Sequence, residues 1–77
     1  MNEKRYNKVI NECKKLVISR NEQYGDSVDI MRIQSIIDLC LMKLIRTRTL
    51  KEEDPKTKDE FIDCINYIVF ALEKLEK

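Results

Sequence analysis

Glu60 and Asp63, two carboxylates three residues apart, and Tyr67, a phenol one turn further on, are the side chains here best spaced to do chemistry. At 3.6 residues per turn the three fall within about 60° of one another on a helix. An E-x-x-D pair on one face can share a hard cation such as Mg²⁺, which takes oxygen ligands and commonly bridges to substrate phosphates. The same letters also have a purely structural meaning. Thr57-Lys58-Asp59-Glu60 spells a capping box, in which Glu60 folds back onto a helix start. Ser35-Ile36-Ile37-Asp38 spells another, so Asp38 also stands between a capping role and a binding one.

Positive charge gathers a little earlier in the chain. Lys43, Arg46 and Arg48 close the apolar segment that precedes Lys51. Guanidinium groups suit phosphate oxygens because their donors are planar and paired. Basic residues in the last turns of a helix also complement its dipole, and composition alone does not separate the two roles. Tyr24-Gly25-Asp26 holds the only glycine of the chain. An aromatic ring, a permissive turn and a carboxylate in succession could wall a base or ribose; equally, Gly25 could be a left-handed helix cap with Tyr24 packed inward.

Three helices have to position these groups. Tyr6, Val9, Ile10, Cys13, Leu16 and Val17 recur at helical spacing and predict a first helix over 3–24. Ile36, Ile37, Cys40, Leu41, Leu44 and Ile45 predict the buried side of a second over 35–50. The stretch Lys51 to Lys56 reads as a solvated turn, with Pro55 closing off the helix before it. A third helix is expected over 57–75. Its stripe of Phe61, Ile65, Ile68, Leu72 and Leu75 is more apolar surface than so small a bundle can bury alone, and such patches mark interfaces. Nothing alternates with a period of two, so the expectation is one all-α domain over 1–77, a three-helix antiparallel bundle completed by homo-oligomerisation.

Size and charge agree with that. A chain of 77 residues has a marginal core and tends to recruit disulfides, metal or a second copy. Cys13, Cys40 and Cys64 are odd in number, widely spaced and set in apolar faces, so they read as buried thiols of a reducing compartment. Without histidine or a CxxC pair no zinc site is expected. Fifteen basic and 14 acidic residues leave a net charge of +1, which gives no field to draw a nucleic acid polymer or a membrane. No run of 18 apolar residues occurs, and the charged start Met1-Asn2-Glu3-Lys4-Arg5 is unlike a secretory leader. The expected setting is the cytoplasm of a bacterial host.

From Tyr24 onward the chain resembles the nucleotide modification associated domain, type one, a small all-α family common in phages and distantly similar to the MazG-like nucleotide pyrophosphohydrolases. The resemblance rests on Tyr24-Gly25-Asp26, Arg32, Ser35, Asp38, Lys43, Arg46, Arg48-Thr49-Leu50, Glu60-Phe61-Ile62 and Asn66-Tyr67. It departs from the family at Val28, Asp29 and Ile33, where a tryptophan, a basic residue and a proline are usual. It also lacks the ExxE that MazG-like enzymes carry on the preceding helix, so half of their acidic metal cage is missing. The resemblance therefore implies an oligomer that binds a nucleotide or nucleotide-derived signal at a subunit interface, and sequestration is one use of such binding. Lys43, Arg46 and Arg48 would contact phosphate; Asp38, Glu60, Asp63 and Asn66 would orient sugar or base; Tyr24 and Tyr67 would stack, with Asp26 and Arg32 nearby. No cofactor is expected. The alternatives are a Mg²⁺-dependent nucleoside triphosphate pyrophosphohydrolase, with Glu60 and Asp63 as metal ligands, and a module that inhibits a host enzyme through helix 3.

Overall fold

Asp54 opens the last helix, and Pro55 shows why it starts there. The Asp54 carboxylate accepts a hydrogen bond from the backbone N–H of Lys56 at 2.9 Å, and its carbonyl takes that of Thr57 at 2.9 Å. Proline suits the first helical position because its missing N–H would have found no partner there. Pro55 thus begins a helix rather than closing the previous one. The structure, a computed structural model, describes residues 1–24 and 30–76, and of residues 21–24 the backbone alone. Three helices run through them: α1 (Glu3–Tyr24), α2 (Ile33–Thr47) and α3 (Pro55–Glu76). Among the described residues there is no strand, and no helix is long and apolar enough to cross a membrane. The fold is all-α, as the periodicity predicts.

Neither capping box forms. Arg32 is the N-cap of α2 with extended backbone (φ −79°, ψ 153°) and no side-chain cap bond, so Ser35 lies inside the helix. Asp38 instead accepts a hydrogen bond from Gln34 Nε2 at 3.2 Å. Thr57 lies within α3 and donates its hydroxyl to the Lys51 carbonyl at 2.7 Å. At the other end α2 stops three residues before the expected Leu50. The N–H groups of Arg48, Thr49 and Leu50 each bond three residues back, and the hydroxyls of Thr47 and Thr49 take the Leu44 and Arg46 carbonyls. Bonds of that span tighten the backbone and satisfy the last carbonyls, which ends the helix.

α2 and α3 form an antiparallel pair. Cys40 and Cys64 each direct their sulfur at the other's carbonyl, at 3.9 and 3.6 Å, and Lys43 meets Glu60 and Asp63, so rising numbers on α2 face falling numbers on α3. α1 packs on α3 and does not keep a single register with it: Glu12 reaches Lys58, Cys13 meets Asn66 and Arg20 meets Asp63. Asn66 is the buried polar residue of the core, and its amide nitrogen donates to the Cys13 carbonyl at 3.1 Å.

The core of the described chain is small. Cys13, Ile36 and Cys64 are its buried apolar residues. All three cysteines are free thiols, and burial pushes each above the usual thiol range. Ile37, Leu41, Leu44 and Ile45, expected on the buried side of α2, are exposed instead, since α2 packs on α3 and α1 makes its main contact with α3. The α3 stripe is left open too, with Phe61 47% and Leu72 56% exposed. The radius of gyration is 13.3 Å, against about 11.5 Å for a compact chain of this length. The accessible area is 6501 Å², against about 4,900 Å² for a monomer of this mass.

Candidate functional site

The E-x-x-D pair becomes the centre of a charged cluster spanning all three helices. Asp63 accepts from Arg20 of α1 at 2.6 Å and from Lys43 of α2 at 3.0 Å. Lys43 also lies 3.5 Å from Glu60, and Arg46 lies 3.9 Å from the other Glu60 oxygen. Helical spacing accounts for the meeting. Lys43 follows Ile36 and Cys40 at i+7 and i+3, which turns it toward α3; Glu60 precedes Cys64 by one turn. Three cations against two carboxylates leave the cluster with one excess positive charge.

These groups are largely withdrawn from water. The side chains of Lys43, Glu60 and Asp63 are 15%, 16% and 18% exposed. Burial works against the charge of Lys43, but the hydrogen bond and charge of Asp63, with Glu60 and Tyr67 behind it, outweigh that and hold the ammonium above its ordinary 10.5. One Glu60 oxygen, Oε2, is buried without a hydrogen bond, its distance to Lys43 being that of an ion pair only. Arg46 is held most loosely, at 3.9 Å and with 53% of its side chain exposed. Beside Asp63 a recess of about 30 Å³ is bounded by Val17, Arg20, Asn66, Tyr67 and Phe70, room for about one water. The Tyr67 ring meets Phe70 edge-on, with centroids 6.3 Å apart.

Glu60 and Asp63 are the two carboxylates of the cluster. Each faces cations of its own chain, and among the described residues no three His, Cys, Asp or Glu groups are placed to hold a metal ion. A Mg²⁺ ion would have to displace Lys43 and Arg20 first, against their charge.

Six of the expected site residues therefore gather on one side of α3: Lys43, Arg46, Glu60, Asp63, Asn66 and Tyr67. Asp38 is exposed on another face of α2, roughly 140° around the helix from Lys43. Arg32 is exposed at the start of that helix, and Arg48 caps its other end and faces a different groove. Gly25, Asp26 and the Tyr24 side chain lie outside the described residues, with the turn expected there. Arg20 was not expected. Its signal is that it continues the Cys13–Val17 face at i+7 and i+3, a charged residue in line with a core stripe.

Residues 20–75 match the family described as Nucleotide modification associated domain 1. The chain belongs to that family. Arg20, at the first matched position, all of α2 and α3 as far as Leu75 lie inside the match, whereas most of α1 precedes it. No curated protein and no solved structure is significantly similar to the chain.

Proposed function

We propose that this member of the family binds a nucleotide or nucleotide-derived anion and holds it without cleaving it. The observation that carries the reading is the charged cluster, positive by one unit, with its lysine and both carboxylates largely withdrawn from water and Arg46 open to it, in a chain of a nucleotide-associated family. Partly buried ion pairs recover little of their desolvation cost, so such a network is weak as a stabilising device and better suited to recognition. Arg46 is the group with reach. A phosphate would take its guanidinium away from Glu60 and draw on the excess charge of the cluster. Glu60 Oε1, released by Arg46, would then accept from a ribose hydroxyl or a base amine, while Asp63, Asn66 and Tyr67 shape the wall beneath.

Binding is favoured over hydrolysis by the charge arrangement. A pyrophosphohydrolase centre needs several carboxylates to offset its metal ions and place water, and here both available ones are already countered by lysine and arginine. In a phage-infected cytoplasm a binder of this kind would sequester a signalling nucleotide or serve modified-base metabolism.

The exposed apolar face points to the form in which the chain works. Ile37, Leu41 and Leu44 of α2 and Ile68 and Leu72 of α3 are all exposed, and helical spacing turns them to one side of the antiparallel pair. Each such side chain contributes about 1.5–3 kcal/mol when fully buried. The excess of roughly 1,600 Å² over a compact monomer is twice the about 800 Å² that one partner buries in a standard interface. We infer a homodimer or higher oligomer joined through that face. The geometry then favours a cluster contained within each chain over one divided between subunits.

Equilibrium titration of variants tests the reading. Arg46→Glu is expected to weaken nucleotide binding at least tenfold, the scale of one charge-assisted contact, with the helical signal and Tm unchanged. Nucleotide affinity that ignores Arg46→Glu would remove the cluster from the site. Turnover of nucleotide in Mg²⁺, lost in the Glu60→Gln, Asp63→Asn double variant, would favour the hydrolase instead.

A further inference from the structure

At the end of the molecule away from Tyr67 and Phe70, α1, the end of α2 with its connection, and α3 border a groove of about 950 Å³. Val9 and Cys13 of α1 and Phe61, Ile62 and Ile65 of α3 form its floor. Arg5, Lys8, Arg48 and Lys58 stand around it, with Glu12 and Glu52 as the acidic residues of the lining. Glu12 is taken up by Lys58 at 2.9 Å, while Arg5 and Arg48 close no ion pair among the described residues. The groove thus joins an apolar trough to two uncommitted guanidinium groups.

We propose that this groove is a second ligand site, separate from the charged cluster, that takes a small amphipathic anion: an aliphatic or aromatic body ended by a single phosphate or carboxylate. The volume lies in the range of small-molecule sites. On the floor, Phe61 to Ile65 spans one helical turn, about 6 Å, which is too short to seat a partner helix. The polarity selects the ligand further. A nucleotide base would need donors and acceptors for its edge, and among the neutral side chains of the lining there is no Asn, Gln, Tyr, Trp or His to supply them. Its two hydroxyls, Thr47 and Thr57, already donate to the Leu44 and Lys51 carbonyls. An apolar body leaves no such group unpaired, and the anionic head meets Arg5 and Arg48, whose forked donors match phosphate and carboxylate oxygens. The same chemistry is found in free acyl or aryl anions and in membrane lipids. The concave, single-chain groove commits the site to the free molecule.

Octyl phosphate below its micellar concentration is the probe, titrated into the ¹⁵N-labelled protein. Saturable one-to-one binding is expected, with amide shifts centred on Val9, Cys13, Phe61 and Ile65. Octanol, which lacks the anion, is expected to bind at least tenfold more weakly. Arg48→Glu, Arg5→Glu and Phe61→Ala are each expected to weaken octyl phosphate severalfold or more. All three side chains lie at the surface, so the fold should tolerate the changes, with Tm as the control. Octanol binding as tightly, variants that bind unchanged, or shifts centred on Leu41 and Leu72 would overturn the proposal. So would AMP shifting the groove amides when octyl phosphate does not, or binding seen only with phosphatidylglycerol vesicles. Failure of nucleotides to bind the cluster leaves each of these outcomes unaltered.

Discussion

Lys43 is the residue on which the charged cluster turns, since it alone contacts both carboxylates of the E-x-x-D pair. Replacing it with methionine keeps the aliphatic stem and leaves Glu60 short of a partner and Asp63 with Arg20 only. A loss of about 2 kcal/mol is expected in urea denaturation, below the full penalty of a deeply buried broken pair because water reaches the edge of the site. Alkaline pH probes the same residue. A group whose value is raised by folding stabilises the protein fully below its unfolded value and ceases to do so as pH climbs through the folded one. The three thiols, ordinarily at 9.0, and Lys43, ordinarily at 10.5, are all raised. Stability is therefore expected to decline from about pH 9 upward, and Lys43→Met to remove only the portion lost above 10.5. Sequence spacing put Glu60, Asp63 and Lys43 on the list of candidate residues. It could not show that they answer one another, because the fate of Glu60 was open between a local cap and a distant partner until the helices were placed.

At the scale of elements, the helices were legible from apolar periodicity and their ends were not. Ser35 and Thr57 carry the letters of N-caps, yet Arg32 and Asp54 hold those positions, because the start of a helix depends on which backbone N–H groups remain unpaired once the turn is built. Asp54→Ala is expected to cost about 1 kcal/mol of stability, while Ser35→Ala should cost little. Both are measured by denaturant unfolding. The link from α1 to the rest is more specific. Asn66 offers α1 a buried hydrogen bond at Cys13, and the ion pairs Glu12–Lys58 and Arg20–Asp63 add to it. Asn66→Ala is expected to cost about 1–2 kcal/mol and to speed amide exchange in α1 more than in α2. Uniform acceleration through all three helices would show that α1 is not held separately.

For the molecule as a whole, the sequence pointed to more apolar surface than one chain can bury, and the helices indeed leave Phe61, Ile68, Leu72 and Leu75 open. The matching exposure of Ile37, Leu41, Leu44 and Ile45 was hidden, since a periodic stripe says that a face exists without saying what covers it. Leu41→Glu with Leu72→Glu is expected to yield a monomer in sedimentation equilibrium with its helical content kept. A wild-type protein that sediments as a monomer at high concentration would contradict the inferred interface. The family expected from Tyr24-Gly25-Asp26 and Asn66-Tyr67 is the family found over residues 20–75.

The most direct measurement is a thermal-shift series on the purified protein with mono-, di-, tri- and cyclic nucleotides, each with and without Mg²⁺, followed by re-extraction and mass analysis of every ligand that raises Tm. A ligand that binds only the folded state at one hundred times its Kd stabilises by about 2.7 kcal/mol. For a chain this size that raises Tm by more than 10 °C, taking roughly 4–8 °C per kcal/mol. The expected result is such a rise with at least one nucleotide, with or without Mg²⁺, and recovery of that nucleotide intact. Recovery as monophosphate and pyrophosphate, or no shift with any nucleotide, would contradict the proposal that this chain is a nucleotide binder.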